Sequence, residues 1–517
     1  MNRQSVIYGT LVLAATGLLN RILGFAYRIL VVRLVGAEGI GLYEMVFPAY
    51  VLMLVITTAG IPVAIARIVA AQVALGKSAR AQRFFRFTFW LLCLLGLTVT
   101  VALNYLAPVF VPFFFADPRA YQPFRALTPA ILIVSLCSAL RGLFQGRQQM
   151  TPPALAQLAE QVVRIVVGLS MASLWLTRGV EYAATGLAVG MVAGEGAGFL
   201  FLAGWYLVAR PGRGTADSSR RESLLPLVKE MYALALPVSL SRIVGSVTLT
   251  LEAMLIPQRL QAAGYALRQA TEIYGYYAGM AMTLVHLPNI LTSSLAVSMV
   301  PAIAAAMAVG NTPAVHRRCQ EAVRVTVVTS LPFAAIFYLL PYQLTSLIFA
   351  APEAGLPLRV LAMGSFFFYL QQTTAGILQG LGRVNTVLRH SLVSNAITLA
   401  GIYFLTGLPA YGIAGTALAV NVGAAVFCWL NISAIKEEAG LSLPLVSVLF
   451  SPLAATVLMA GTLLYTYARL APAAGPLIGT GTSLGVGLTV YLGALLLTGG
   501  LTRRDLQRLP WIGHLFG

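Results

Sequence analysis

Residues 6–34, VIYGTLVLAATGLLNRILGFAYRILVVRL, form an apolar run interrupted by three arginines, Arg21, Arg28 and Arg33. A helix rises 1.5 Å per residue, so about 20 apolar residues cross a hydrocarbon core about 30 Å thick. The run is long enough to span. It is too long for a signal-peptide core and lacks a small-residue cleavage site near its end, so it reads as a first membrane helix. The rest of the chain is of the same kind. Of 517 residues, 58% are hydrophobic and 10% charged, against about 25% charged in an ordinary soluble domain. There is too little polar surface to cover soluble domains, and an all-α polytopic membrane protein is the class that remains. The net charge of +18 would otherwise point to nucleic acid. Here the basic residues sit at the ends of apolar runs, where topology and anionic head groups account for them, and nucleic acid is not expected as a partner. Cys93, Cys137 and Cys428 lie in apolar runs and Cys319 in a basic loop, without the paired spacing of a disulfide framework or zinc site.

Further runs of this kind predict fourteen spans, at about 6–34, 43–69, 87–112, 124–145, 154–177, 183–209, 231–257, 272–308, 321–349, 358–381, 386–407, 411–434, 446–470 and 475–500. The most polar segment, Arg210 to Glu230, separates the sixth from the seventh and reads as a flexible linker. With a cytoplasmic N-terminus, 22 of the 34 basic residues fall in cytoplasmic segments and 8 on the opposite side. That asymmetry predicts cytoplasmic termini and an even number of helices. The four left over, Arg21, Arg28, Arg164 and Arg242, lie within spans.

The chain also repeats itself. Asn20-Arg21-Ile22-Leu23-Gly24 matches Ser241-Arg242-Ile243-Val244-Gly245 at an offset of 221, and Gly142-Leu143-Phe144-Gln145-Gly146 matches Gly376-Ile377-Leu378-Gln379-Gly380 at 234. Leu187-Ala188-Val189-Gly190 resembles Leu418-Ala419-Val420-Asn421 at 231. All three pair helix n with helix n+6, in order. Six is even, so the copies enter the membrane from the same side, as a parallel repeat about an axis along the membrane normal. The expected organisation is a six-helix lobe over 1–212, a linker over 213–230, a second six-helix lobe over 231–440, and two further helices with a tail over 441–517.

Arginine within a bilayer costs about 2.5–3.5 kcal/mol on insertion scales, so such residues tend to face protein or water. Arg21 and Arg28 are seven apart, on nearly one helix face, and Arg242 holds the repeat-related place. A guanidinium pairs two phosphate oxygens at once, so these three are candidates for binding an anion carried through a central cavity. The alternative is that each satisfies helix carbonyls or a carboxylate such as Glu44 or Glu252. Gln157, Glu160, Gln161 and Arg164 give the fifth span a polar face. Adding 234 lands on Ser391, Ser394, Asn395 and Thr398, again polar. Such stripes suit cavity lining, while a Glu160–Arg164 ion pair near the head groups is the other reading. Gly186, Gly190, Gly194 and Gly198 read as a helix-packing ladder. Glu195, inside it, is a candidate for ion coupling. His286 reads first as a satisfied core histidine, with gating or proton transfer the minor reading. Gly60-Ile61-Pro62 should kink the second helix, and Pro301 the eighth.

Residues 71–78 (AQVALGKS) carry one glycine after an apolar helix, too little for a nucleotide phosphate cradle. No nucleotide partner, cofactor or catalytic motif is expected, and the chain does not read as an enzyme. The opening Asn20–Phe25 and residues 26–41 (AYRILVVRLVGAEGIG) resemble the MOP exporter superfamily, which includes MurJ-type lipid II flippases. Leu42-Tyr43, Thr58–Pro62, residues 141–150 (RGLFQGRQQM) and residues 277–303 are similar to the stage V sporulation protein B branch. The resemblance implies a MATE-like fold in a bacterial plasma membrane and a flippase that moves a lipid-linked saccharide from the inner to the outer leaflet. It further implies membrane lipids and that lipid-linked oligosaccharide as partners; the sequence leaves the oligomeric state open and is compatible with a monomer. Arg21 matches a cavity arginine of the MurJ type directly and Arg28 one residue late. Met280, in the motif that includes Tyr277, stands where the MurJ type has a further arginine. Tyr277 joins Glu44, Glu160, Arg164, Glu195, Glu252, His286 and Asn395 as a candidate for cavity lining or coupling. The driving force would be the membrane potential, H+ or Na+. The rivals are another lipid-linked polysaccharide exporter and a cation-coupled small-molecule antiporter.

Overall fold

The computed structural model describes residues 6–209, 223–440 and 446–500. Among these, every regular element is helical. In chain order they are α1 (Val6–Thr58), α2 (Ile61–Ala74), α3 (Ser78–Phe114), α4 (Tyr121–Leu127), α5 (Pro129–Gly146), α6 (Thr151–Leu176), α7 (Val180–Ala209), α8 (Leu225–Ala262) and α9 (Leu267–Tyr274). They continue as α10 (Met282–His286), α11 (Asn289–Ala308), α12 (Thr312–Leu339), α13 (Pro341–Phe349), α14 (Gly355–Gly380), α15 (Val384–Thr406), α16 (Gly412–Ala439), α17 (Ser451–Ala474) and α18 (Pro476–Leu497). Nine helical stretches among the described residues are long and apolar enough to cross a membrane, and one of these, Ala15–Ala74, has 60 residues, enough for two passes. The remaining expected spans correspond to α8, to the broken stretch α9–α11, whose apolar part Thr292–Ala308 is shorter, and to α14 and α15. α14 runs through Gln371, Gln372, Thr373 and Thr374.

Three boundaries differ from the sequence reading. The first two spans are not joined by a loop: the helix runs on through α1 and breaks at Gly36, at φ 69° and ψ −177°, a conformation open to glycine. The kink expected at Gly60-Ile61-Pro62 is a full interruption, with Ala59 and Gly60 both at positive φ. Pro62 then sits in the first turn of α2, where its missing N–H leaves no bond unmade. The eighth span is broken into α9, a wide π-helical stretch over Gly275–Ala281, then α10 and α11. Cys319, expected in a loop, is buried in α12.

The repeat is visible in the packing. A Cβ on Gly142 would come within 2.8 Å of the Pro62 carbonyl oxygen, and one on Gly146 within 2.6 Å of that of Ala66. In the second copy a Cβ on Gly376 would meet the Ala296 carbonyl oxygen at 2.8 Å and one on Gly380 that of Val300 at 3.1 Å. All four contact pairs are related by the offset of 234. α5 therefore lies on α2 as α14 lies on α11, backbone to backbone, because the GxxxG spacing leaves no side chain between them. The next helix pair refines the register. Gly186 and Gly194 of α7 abut Met171 and the Glu160 carbonyl of α6, whereas Gly415 and Gly423 of α16 abut Leu405 and the Ser394 carbonyl of α15. That is an offset of 229 for α7 and α16, two less than the Leu-Ala-Val match suggests. The close-approach glycines carry the register, and the apolar tripeptide does not.

Contacts divide the described chain into two compact units, the first reaching Gln258 and including Ala266–Gly275, the second holding Arg259–Tyr265 and the residues from Tyr276 on. These are not the two copies of the repeat, since most of α8 falls in the first unit. Its Leu227, Met231 and Ala235 join a core with Ile65, Ile68, Phe84, Leu143 and Phe144. The second unit has its own core, including Ile303, Val323, Ile377, Cys428 and Ile435. The polar segment 210–222, which includes most of the expected linker, and the basic tail from 501 lie outside the described residues.

Candidate functional site

The first unit holds a cavity of about 240 Å³. α1 lines it on both sides of the Gly36 break, with Gly24, Tyr27 and Arg28 before and Tyr43, Glu44 and Phe47 after; α6 adds Gln161 and Arg164, and α7 adds Leu187 and Met191. The break at Gly36 makes this wall. Arg28 and Glu44 are sixteen residues apart, which in a straight helix is roughly 24 Å. In the folded chain the Arg28 guanidinium donates to the Glu44 carboxylate.

Arg164 reaches the same space from α6. Its Nη2 donates to Glu160 Oε1 and to Glu195 Oε1, each at 2.8 Å, and its Nη1 to Gln161 Oε1 at 3.4 Å. Glu160 accepts in turn from Arg141 Nη2 of α5 at 2.5 Å. Around the cavity and directly behind it, Arg28, Arg141 and Arg164 therefore face Glu44, Glu160 and Glu195, three cations to three carboxylates. On the α6 stripe Glu160 and Arg164 form an ion pair, and Arg164 with Gln161 lines the cavity. Arg141, which is not among the candidates named from sequence, is part of the network. Only its distance in sequence hid it.

Other candidates fall elsewhere. Arg21 and Arg242 are exposed, outside the cavity wall, and have no charge partner among the described residues. Glu252 is half-buried on α8. In the second unit Tyr277 is buried within the π-helical stretch. His286 is not a core histidine: it is exposed at the end of α10, its ring edge-on to Phe368 at 5.2 Å. Asn395 is half-buried on α15, and its stripe neighbours Ser394 and Thr398 pack against Gly423. The second-copy stripe thus serves helix packing, because α16 presents a glycine there. Sequence reading also missed a buried knot. Asp117 is fully buried and accepts from Arg119, whose Nη2 lies 2.7 Å away, and from Thr271 Oγ1 at 2.9 Å, while Arg119 also donates to Glu38. It ties α9 to the turn after the Gly36 break. Among the described residues no cluster of three metal-ligating side chains occurs.

The family model described as "Polysaccharide biosynthesis protein" matches residues 6–307, more than half of the chain, and one described as "MatE" matches residues 278–404. The chain belongs to the polysaccharide biosynthesis protein family. This family member is 31% identical over 530 residues to stage V sporulation protein B of Bacillus subtilis (strain 168), covering 100% of this chain and 99% of the relative. Among solved structures it is similar to the lipid II flippase MurJ in an inward closed conformation, with a TM-score of 0.71 at 13% identity, covering 96% of this chain and 100% of that one. It is also similar to an inward-facing multidrug resistance MATE family transporter of the MOP superfamily, with a TM-score of 0.69 at 18% identity, covering 81% and 94%. The fold is that of MOP superfamily membrane transporters, and the polysaccharide biosynthesis match spans the whole cavity described above.

Proposed function

We propose that this protein is a flippase for a lipid-linked saccharide of the undecaprenyl-pyrophosphate type, moving it from the inner to the outer leaflet by alternating access, for peptidoglycan or spore cortex synthesis. The observation that carries the reading is the cavity holding two guanidinium groups, Arg28 and Arg164, beside Tyr27, Tyr43 and Gln161. A diphosphate could take over the donors now held by Glu44, Glu160 and Glu195, because a guanidinium offers a phosphate the same forked geometry it offers a carboxylate. Arg21 and Arg242, exposed outside the cavity wall and without a charge partner among the described residues, would attract an anionic cargo rather than hold it in the cavity. The family description and the name of the sporulation relative support a saccharide cargo. In this reading both termini are cytoplasmic and the lipid tail stays in the bilayer. Each negative charge moved outward across the full field gains about 2.3 kcal/mol per 100 mV of inside-negative potential, which biases direction without nucleotide hydrolysis.

A second reading has a specific observation behind it. Three carboxylates at and behind the cavity, with a MatE match over residues 278–404, would suit an antiporter exchanging an organic cation for H+ or Na+. One experiment separates the two. The purified full chain is reconstituted in vesicles with a fluorescent polyprenyl-pyrophosphate-linked saccharide, and outer-leaflet delivery is measured with and without an imposed potential. Delivery accelerated by an inside-negative potential and lost in Arg28→Ala supports the flippase. Absent delivery, with pH-driven uptake of a cationic dye in the same vesicles, rejects it.

A further inference from the structure

We infer that the first unit carries a second, separate site that binds an anionic glycerophospholipid of the surrounding bilayer, its phosphate on Arg86 and an acyl chain in an aromatic cavity. That cavity, of about 470 Å³, is formed by Phe85, Phe89 and Trp90 of α3, Leu140 of α5, and Phe199, Tyr206 and their neighbours on α7. This is within the range of small-molecule sites, about 300–1,000 Å³. Its walls are aromatic and mutually braced: Phe85 lies 5.5 Å from Tyr206 and 5.9 Å from Phe89, centroid to centroid, and Phe89 meets Trp90 edge-on at 5.9 Å.

The tyrosine hydroxyl of that wall is already taken. The Tyr206 hydroxyl accepts from Gln82 Nε2, and Gln82 Oε1 accepts from Arg147 Nη2 at 2.9 Å. What remains is an apolar slot with a single cation in its lining, Arg86, which is exposed and has no hydrogen bond or ion pair among the described residues. Arg80, two turns earlier, is by contrast engaged with the Ser223 carbonyl at 3.0 Å. Charge complementarity selects the occupant. No acidic residue occurs between Glu44 and Asp117, while Lys77, Arg80, Arg83 and Arg86 recur every third residue. An acyl chain fits the slot and an anionic head group neutralises the free guanidinium, whereas a zwitterionic lipid offers the same phosphate but brings its own cation, leaving the net positive charge of this face uncompensated. Trp90, 67% exposed, has the amphipathic ring that favours the membrane interface.

Trp90 also supplies the probe. The full chain is reconstituted in vesicles of phosphatidylcholine doped with phosphatidylglycerol brominated on its acyl chains, or with brominated phosphatidylcholine, and the fluorescence lost is compared with that of Trp90→Phe. The Trp90 component should be quenched at lower mole fractions of the brominated phosphatidylglycerol. Arg86→Gln should weaken that preference about fivefold, as one basic residue at an anionic surface is worth about 1 kcal/mol, and Arg86→Lys should retain most of it. Ala203→Leu, which narrows the slot, should reduce quenching by both lipids. Thermal unfolding checks that each variant is folded, and Arg86→Lys provides a folded comparison if Arg86→Gln is not. Equal quenching by the two lipids in the wild type, an unchanged preference in Arg86→Gln, or displacement by a polyprenyl phosphate but not by phosphatidylglycerol would overturn the assignment. The readout is binding, so its outcome is independent of whether the chain flips a saccharide.

Discussion

Arg28 and Glu44 can be separated into a structural pair and a binding group by a double-mutant cycle. Their side chains are 26% and 13% exposed. Removing one partner of a fully buried pair costs about 3–5 kcal/mol, because the other charge is left uncompensated, while exposed pairs are worth at most about 1 kcal/mol. With partial exposure on both sides, Arg28→Gln and Glu44→Gln should each destabilise by about 1–3 kcal/mol. The double variant leaves no stranded charge and two amides able to bond each other, so it should recover most of that loss. Stability is read from thermal or denaturant unfolding in detergent, and function from saccharide delivery in vesicles. If Arg28 meets the cargo, the double variant is stable and inactive, and Glu44→Gln alone retains delivery because its guanidinium is set free. A stable double variant with wild-type delivery would refute the binding role, leaving Arg28 as a tie across the Gly36 break.

Three further outcomes follow from the packing. Gly190→Ala would place a Cβ 2.3 Å from the Gly168 Cα, so α6 and α7 must part by ~1 Å, at a cost of about 1–3 kcal/mol. Gly196→Ala, with nothing within 4 Å, is the control and should unfold at or slightly above the wild-type temperature, because alanine is the better helix former. Gly142→Ala and Gly376→Ala, each meeting a carbonyl oxygen at 2.8 Å, should lower the unfolding temperature by similar amounts, and a neutral effect at either would break the proposed equivalence of the copies. Asp117→Ala should cost about 1–3 kcal/mol, because the partly exposed Arg119 keeps Glu38 as a partner. Thr271→Val, which loses one hydrogen bond to it, should cost about 1 kcal/mol, measured by the same unfolding assay.

Much of this architecture was legible along the chain because a bilayer requires long apolar runs and a duplicated chain keeps its packing residues. The GLFQG and GILQG stretches mark the repeat because both must bring two backbones into contact, and the Gly186–Gly198 ladder marks α7 for the same reason. Arg28, Glu160, Arg164 and Glu195 stood out as charges where apolar side chains belong. The sequence alone therefore determined the membrane class, the duplication and most members of the charge network. Which of them meet was decided by tertiary structure. Pairing Arg28 with Glu44 depends on one glycine at φ 69° folding α1 back on itself, and apolar periodicity carries no trace of that turn. Arg141 joins Glu160, and Thr271 joins Asp117 across 154 residues, because helices distant in sequence are packed side by side. Hydropathy registers how much charge a helix holds, whereas neutralisation depends on what the neighbouring helix presents within about 3 Å of it.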